Sequence, residues 1–296
     1  ATALFGSSLI FFFTLAALLF LIPSALVSAE LASMWDKEGG VYVWVKEAFG
    51  RKTGFLAIWF QWIENVIWYP TILSFIAGTI GFLISPSLAE NKFFLIAVIF
   101  CCFWGTTIIN LLGMKSSARF ASFCSIAGLL IPMALIIGLG VVWVVSGQPV
   151  EVDFDIQHII PHSYNADMWV SLIGIMMSFC GMEIATVHVR DVRNPQKTFP
   201  VAMLYSVVII LVTLVLGSLA IAVVIPHDNI SLVSGIMEAF SVFFTSYHLK
   251  WFLPVVAAML VVGGMGGLNN WVIAPTRGMV IAGNDGCLPP ILRKEN

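Results

Sequence analysis

The sequence predicts an all-α integral membrane protein, and three observations predict it. Of its 296 residues, 59% are hydrophobic and 10% charged, with a mean hydropathy of +0.98, whereas soluble domains carry about 25% charged residues. Apolar stretches of about 20 residues recur along the chain, enough at 1.5 Å per residue to cross roughly 30 Å of hydrocarbon. The lysines and arginines gather between these stretches or at their ends.

Seven apolar segments follow in order, so about seven transmembrane helices are expected. Segment A covers residues 7–29, B 53–84, C 93–112 and D 120–145; E covers 168–187, F 200–225 and G 251–281. B and G are long enough to tilt or protrude. The loop between F and G holds Ile230, Val233, Ile236, Met237, Phe240 and Phe244 at near-helical spacing, which predicts a helix lying on the outer surface. The chain is expected to form a single transmembrane unit over residues 1–296, with no cleaved signal peptide.

The charges orient the segments. Twelve of the fourteen basic residues lie in the A/B, C/D and E/F loops or at and after the end of G; Lys92 and Lys250 alone occupy the alternate loops. The positive-inside rule therefore places those three loops and the C-terminus in the cytoplasm and the start of A outside. The net charge of −2 is uninformative about partners, but no basic patch is present, so no nucleic-acid partner is expected. The D/E loop carries Glu151, Asp153, Asp155, His158, His162 and Asp167. Pro161 interrupts the histidine spacing, so a solvated acidic loop is expected there rather than a metal site. The five cysteines form no C-x-x-C or Cys/His cluster and read as small hydrophobes. No metal and no cofactor are expected.

The candidate site lies in segment E, where Ser178-Phe179-Cys180-Gly181-Met182-Glu183 places a carboxylate two residues after a glycine in apolar sequence. An acid at the centre of a membrane helix costs roughly 2.5 to 3.5 kcal/mol on insertion scales, so Glu183 is expected to face protein or a cavity. Gly181 tolerates a broken helical ladder, and a broken helix at membrane depth exposes backbone groups to a substrate. Glu183 is expected either to hold the broken segment through hydrogen bonds or to change protonation. Glu64, in Gln61-Trp62-Ile63-Glu64-Asn65, is the second intramembrane acid, facing the cavity or bonding Asn65, Asn110 or another helix. In segment G the run Gly263-Gly264-Met265-Gly266-Gly267 permits a bend or close helix approach, and Asn269 and Asn270 follow as neutral hydrogen-bonding groups. Arg277, at the end of G, either snorkels to the interface or pairs with Glu30, Asp36, Glu38 or Asp191. His188 stands near the cytoplasmic end of E, where a histidine can sense pH.

Three ordered motifs resemble the amino acid permeases of the APC superfamily. Ala29-Glu30-Leu31 with Gly39-Gly40-Val41-Tyr42-Val43-Trp44, Gly50 and Gly54-Phe55 is similar to the stretch joining that family's second and third helices. Gly181-Met182-Glu183 with Asn194-Pro195 and Pro200 looks like the sixth helix and its following loop; Pro275-Thr276-Arg277 with Asp285-Gly286-Cys287-Leu288-Pro289 resembles the end of the eighth. The run Gly181 to His188, with Trp271 and Arg277, most resembles the bacterial glutamate:GABA antiporter group.

The resemblance implies a partial inverted-repeat (five-plus-five, LeuT-type/APC) transporter fold. Segments A to G would be helices two to eight, with the first helix and those after the eighth lying outside the sequence. The family holds its substrate between the broken first and sixth helices, so half of that site would lie outside as well, and this polypeptide alone is not expected to transport. By the same resemblance, Phe179 and Met177 flank the pathway; Met177 stands where the arginine branch has a gating tryptophan. Gly267 falls near an acidic residue of the glutamate antiporters. The implied activity is secondary transport or antiport of an amino acid or amine by alternating access, with protons as a candidate coupling ion, in the bacterial inner membrane.

The absence of a buried Lys or Arg in the spans favours a zwitterionic or cationic substrate over a dianion. A seven-helix receptor or light-driven pump has the same helix count, but G lacks a central lysine and C lacks an Asp-Arg-Tyr end. A nontransporting permease relative is the other alternative. An intramembrane enzyme would need a centre such as H-E-x-x-H or G-x-S-x-G, and neither occurs.

Overall fold

The computed structural model describes residues 8–34, 39–89, 91–111, 122–152, 166–226 and 234–290; these are mostly helical, with no strand among them. The helices are α1 (Leu9–Met34), α2 (Val41–Phe49), α3 (Arg51–Ile84), α4 (Lys92–Leu111), α5 (Ser122–Val145), α6 (Ala166–Ser178), α7 (Pro195–Val224), α8 (Gly235–Ser246) and α9 (Leu253–Ala282). By length and hydropathy, α1, α3, α5, α7 and α9 with its flanking turns can each cross a membrane; α4 and α6 belong to the shorter apolar helices. The chain is thus a multi-pass membrane protein, with five such helices among the described residues, and the seven expected spans are matched in full length at A, B, D, F and G.

Proline chemistry shapes these helices. A proline ring clashes with the carbonyl four residues earlier and removes its donor. In α1 the π-helical turn Ala17–Leu21 contains Leu19, four residues before Pro23; in α5 the turn Ile126–Leu130 contains Gly128, four residues before Pro132. The wider π turn absorbs the clash and keeps the helix running.

Three apolar clusters hold the bundle. Leu9, Phe13 and Leu21 of α1 meet Ile175 of α6 and Met203 of α7. Ile136 and Trp143 of α5 meet Val223 of α7, Phe240 and Phe243 of α8, and Val256 of α9. Tyr42 and Val43 of α2 pack on Ile58 of α3 and Ala282 of α9. Helices α5 and α9 cross at Gly128 and Gly263, whose backbones touch, so that a Cβ on either would overlap the other.

Two features differ from the sequence expectation. The helix in the F/G loop is present as α8, but it does not lie free on a surface: Met237, Phe240, Phe243 and Phe244 are buried, with Phe243 edge-on to Trp143 at 5.6 Å. Its apolar stripe meets protein because α5, α7 and α9 leave a matching apolar face. The second is α2, a nine-residue helix between segments A and B. It is fastened to the end of α9: the Tyr42 hydroxyl donates to Asp285 Oδ2 at 2.7 Å, and Lys46 Nζ pairs with the same oxygen. Arg51 Nη1 donates to the Asp285 carbonyl at 2.9 Å, where the helix ends and Gly286 turns with φ +86°. Burial, and then the hydrogen bond to Asp285, push the Tyr42 phenol well above its ordinary range, so it remains a neutral donor.

Candidate functional site

Segment E breaks where its glycine stands. Helix α6 ends at Ser178, and its last turn tightens through bonds from Phe179 N–H to the Met176 carbonyl at 3.0 Å and from Cys180 N–H to the Met177 carbonyl at 3.2 Å. Gly181 then takes φ +109°, a region that side-chain-bearing residues rarely enter, and a 3₁₀ segment, Met182–Asp191, continues the chain. The Ile184 N–H donates to the Gly181 carbonyl at 3.1 Å and the Thr186 hydroxyl to the Glu183 carbonyl at 2.5 Å, fastening the new direction.

Helix α3 lays a polar stripe against this break. Gln61, Glu64, Asn65 and Trp68 are spaced i, i+3, i+4, i+7 and so share one face. Gln61 Nε2 donates to Glu183 Oε1 at 3.2 Å. Glu64 is exposed on that face, within electrostatic reach of Glu183. Asn65 Nδ2 donates to the Trp271 carbonyl of α9 at 2.5 Å, and Trp68 lies 5.2 Å from the Trp271 ring, centroid to centroid. The Trp271 ring covers Gly181: a Cβ built there would stand 3.0 Å from it. One turn before Trp271 on the same helix, Gly267 adjoins open space.

The break, the α3 stripe and Trp271 therefore bring two carboxylates, Glu64 and Glu183, to one region. Such a place attracts a positively charged group or protons.

The other sequence-derived candidates fall elsewhere. Phe179 is 1% exposed and packs edge-on to Phe13 of α1 at 5.8 Å, within the α1/α6/α7 cluster. Met177 is 57% exposed on α6. Asn269 is fully buried in α9, and Asn270 is exposed. Arg277 is partly buried, two residues beyond the internal Pro275. Asp36, Glu38 and the His158 to His162 loop lie outside the described residues, as do the side chains of His188 and Asp191. Gln61, Asn65, Trp68 and Trp271 were not singled out as site residues by sequence reasoning. A signal existed: four polar or aromatic residues at helical spacing in an otherwise apolar span.

The amino acid permease family model matches residues 1–296. An uncharacterized transporter of Legionella pneumophila is 43% identical over 295 residues, covering 100% of this chain and 63% of the relative. A glutamate/gamma-aminobutyrate antiporter of Lactococcus lactis is 30% identical over 293 residues, covering 97% of this chain and 58% of the relative. A probable agmatine/putrescine antiporter of the same species is 23% identical over 294 residues, covering 99% and 61% respectively. The chain spans about three fifths of the length of these relatives. With the family model matching its whole length, the chain belongs to the amino acid permease family.

Proposed function

We propose that the protein is a secondary active amino acid transporter or amino acid/amine antiporter, working by alternating access with its substrate at the broken segment. The observation that carries this reading is the break at Gly181, where Glu183 meets Gln61 of α3 and the Trp271 ring of α9 covers the turn. A helix interrupted in a spanning bundle frees backbone dipoles for the charged ends of an amino acid, while Glu183 and Glu64 attract its ammonium. Protons are the coupling ion of this reading. The substrate class is a zwitterionic or cationic amino acid or an amine, as the two carboxylates favour. The antiporters among the relatives support exchange over one-way transport.

In this reading the chain supplies one part of an inverted-repeat transporter domain, with α1, α3, α4, α5, α6 and its 3₁₀ continuation, α7 and α9 as seven spans. It sits in the bacterial inner membrane, with α2 and the end of α9 on the cytoplasmic side. Phe179, Asn269 and Met177 are further lining or gating residues, and Arg277 closes the cytoplasmic gate. Both the family and the broken segment speak against a seven-helix receptor.

Counterflow tests the reading. Full-length protein in proteoliposomes preloaded with unlabelled compound is offered labelled amino acids and amines. Saturable accumulation of an amine or zwitterionic amino acid is expected; a folded protein that exchanges none of the panel would overturn it.

A further inference from the structure

Pro275 lies inside α9 and has no N–H, so the Trp271 carbonyl four residues earlier loses its helical donor. A carbonyl left unpaired inside a membrane protein is strongly disfavoured, so a replacement donor is required. Helix α3 provides it. Asn65 is 1% exposed, and its Nδ2 reaches the Trp271 carbonyl at 2.5 Å; the Tyr69 hydroxyl stands 3.4 Å from the same oxygen and accepts from Asn65 Nδ2 at 2.8 Å. The residue whose carbonyl is held this way is also the one whose ring covers Gly181 and packs on Trp68.

We infer that Asn65 is a positioning residue: its amide replaces the donor that Pro275 withholds and thereby fixes the Trp271 ring over the break at Gly181. Long helices bend at proline, and α9 would otherwise hinge one turn from that ring. The bond makes the bend a defined geometry shared by two helices. Its consequence for exchange rests on the transporter reading above; its consequence for the ring does not. Loss of the bond lets the Trp271 backbone shift, uncovers the turn and weakens substrate binding more than turnover.

The test uses full-length protein with Cys180, next to Gly181, as the reporter thiol and every other cysteine replaced by serine. Asn65→Leu removes the donor at similar volume. Asn65→Leu with Pro275→Ala restores a backbone N–H to the Trp271 carbonyl without restoring the side chain. Reaction of Cys180 with a methanethiosulfonate reagent is expected to be several-fold faster in Asn65→Leu and to return to the parent rate in the double variant. The KM for counterflow is expected to rise in Asn65→Leu with maximal rate largely kept, and to return likewise. A thermal melt and gel filtration of each variant register any general loss of fold. Parent-like labelling in Asn65→Leu, or no recovery in the double variant, overturns the inference. Cys180 kinetics as expected in a protein that exchanges nothing support the positioning role and reject the transporter reading.

Discussion

Gln61 of α3 donates to the carboxylate of Glu183, on the far side of the Gly181 break, across 3.2 Å. The bond ties a continuous helix to an interrupted one. A hydrogen bond to a charged group contributes about 1.5 to 3 kcal/mol, or roughly 10- to 100-fold in an equilibrium constant. Gln61→Leu is therefore expected to weaken equilibrium binding of the exchanged substrate by about 10-fold or more. Gln61→Asn, a shorter side chain with the same donor, is expected to lie between it and wild type. Scintillation proximity binding measures both.

Gly181 is constrained twice, by its φ of +109° and by the Trp271 ring. Gly181→Ala is expected to destabilise the protein by roughly 1 to 3 kcal/mol through backbone strain. It also presses on the aromatic wall, so exchange falls further than stability does. A thermal melt in detergent alongside counterflow separates the two effects.

The clasp on α2 gives an alkaline signature. An unfolded tyrosine ionises near pH 10, whereas the folded Tyr42 is held above that by burial and by Asp285. A raised folded value means that its stabilising effect is complete below about pH 10 and is lost as pH rises beyond it. The melting temperature of wild type is expected to decline between about pH 9.5 and 11 more steeply than that of Tyr42→Phe. At pH 7, loss of the bond to Asp285 is expected to lower the stability of Tyr42→Phe by about 1 to 2 kcal/mol.

Where α5 crosses α9, Gly128 and Gly263 leave no room for a side chain. Gly263→Val is expected to cost roughly 1 to 3 kcal/mol or more by forcing the helices apart. Gly267→Val, facing open space four residues on, is expected to leave the melting temperature nearly unchanged. Paired melts check this contrast.

Much of the fold is legible because membrane spans are written in composition. Residues 53–84 and 93–112 were expected as segments B and C, and the helices run Arg51–Ile84 and Lys92–Leu111. The position of the break was legible from one glycine followed by an acid. Helix α2 escaped detection because nine residues with a single turn of apolar stripe do not resemble a span. The α2 clasp joins residues 239 and 243 positions apart, a relation that no local pattern encodes. The Asn65 bond to Trp271 was half visible: Pro275 marks a carbonyl in need of a donor, but only the packing of α3 on α9 shows which side chain supplies it.

The most direct measurement is equilibrium binding of the exchanged amino acid or amine to full-length wild type and to Glu183→Gln. The broken-segment site predicts that Glu183→Gln binds about 10-fold more weakly. Equal affinity in the folded variant would contradict it.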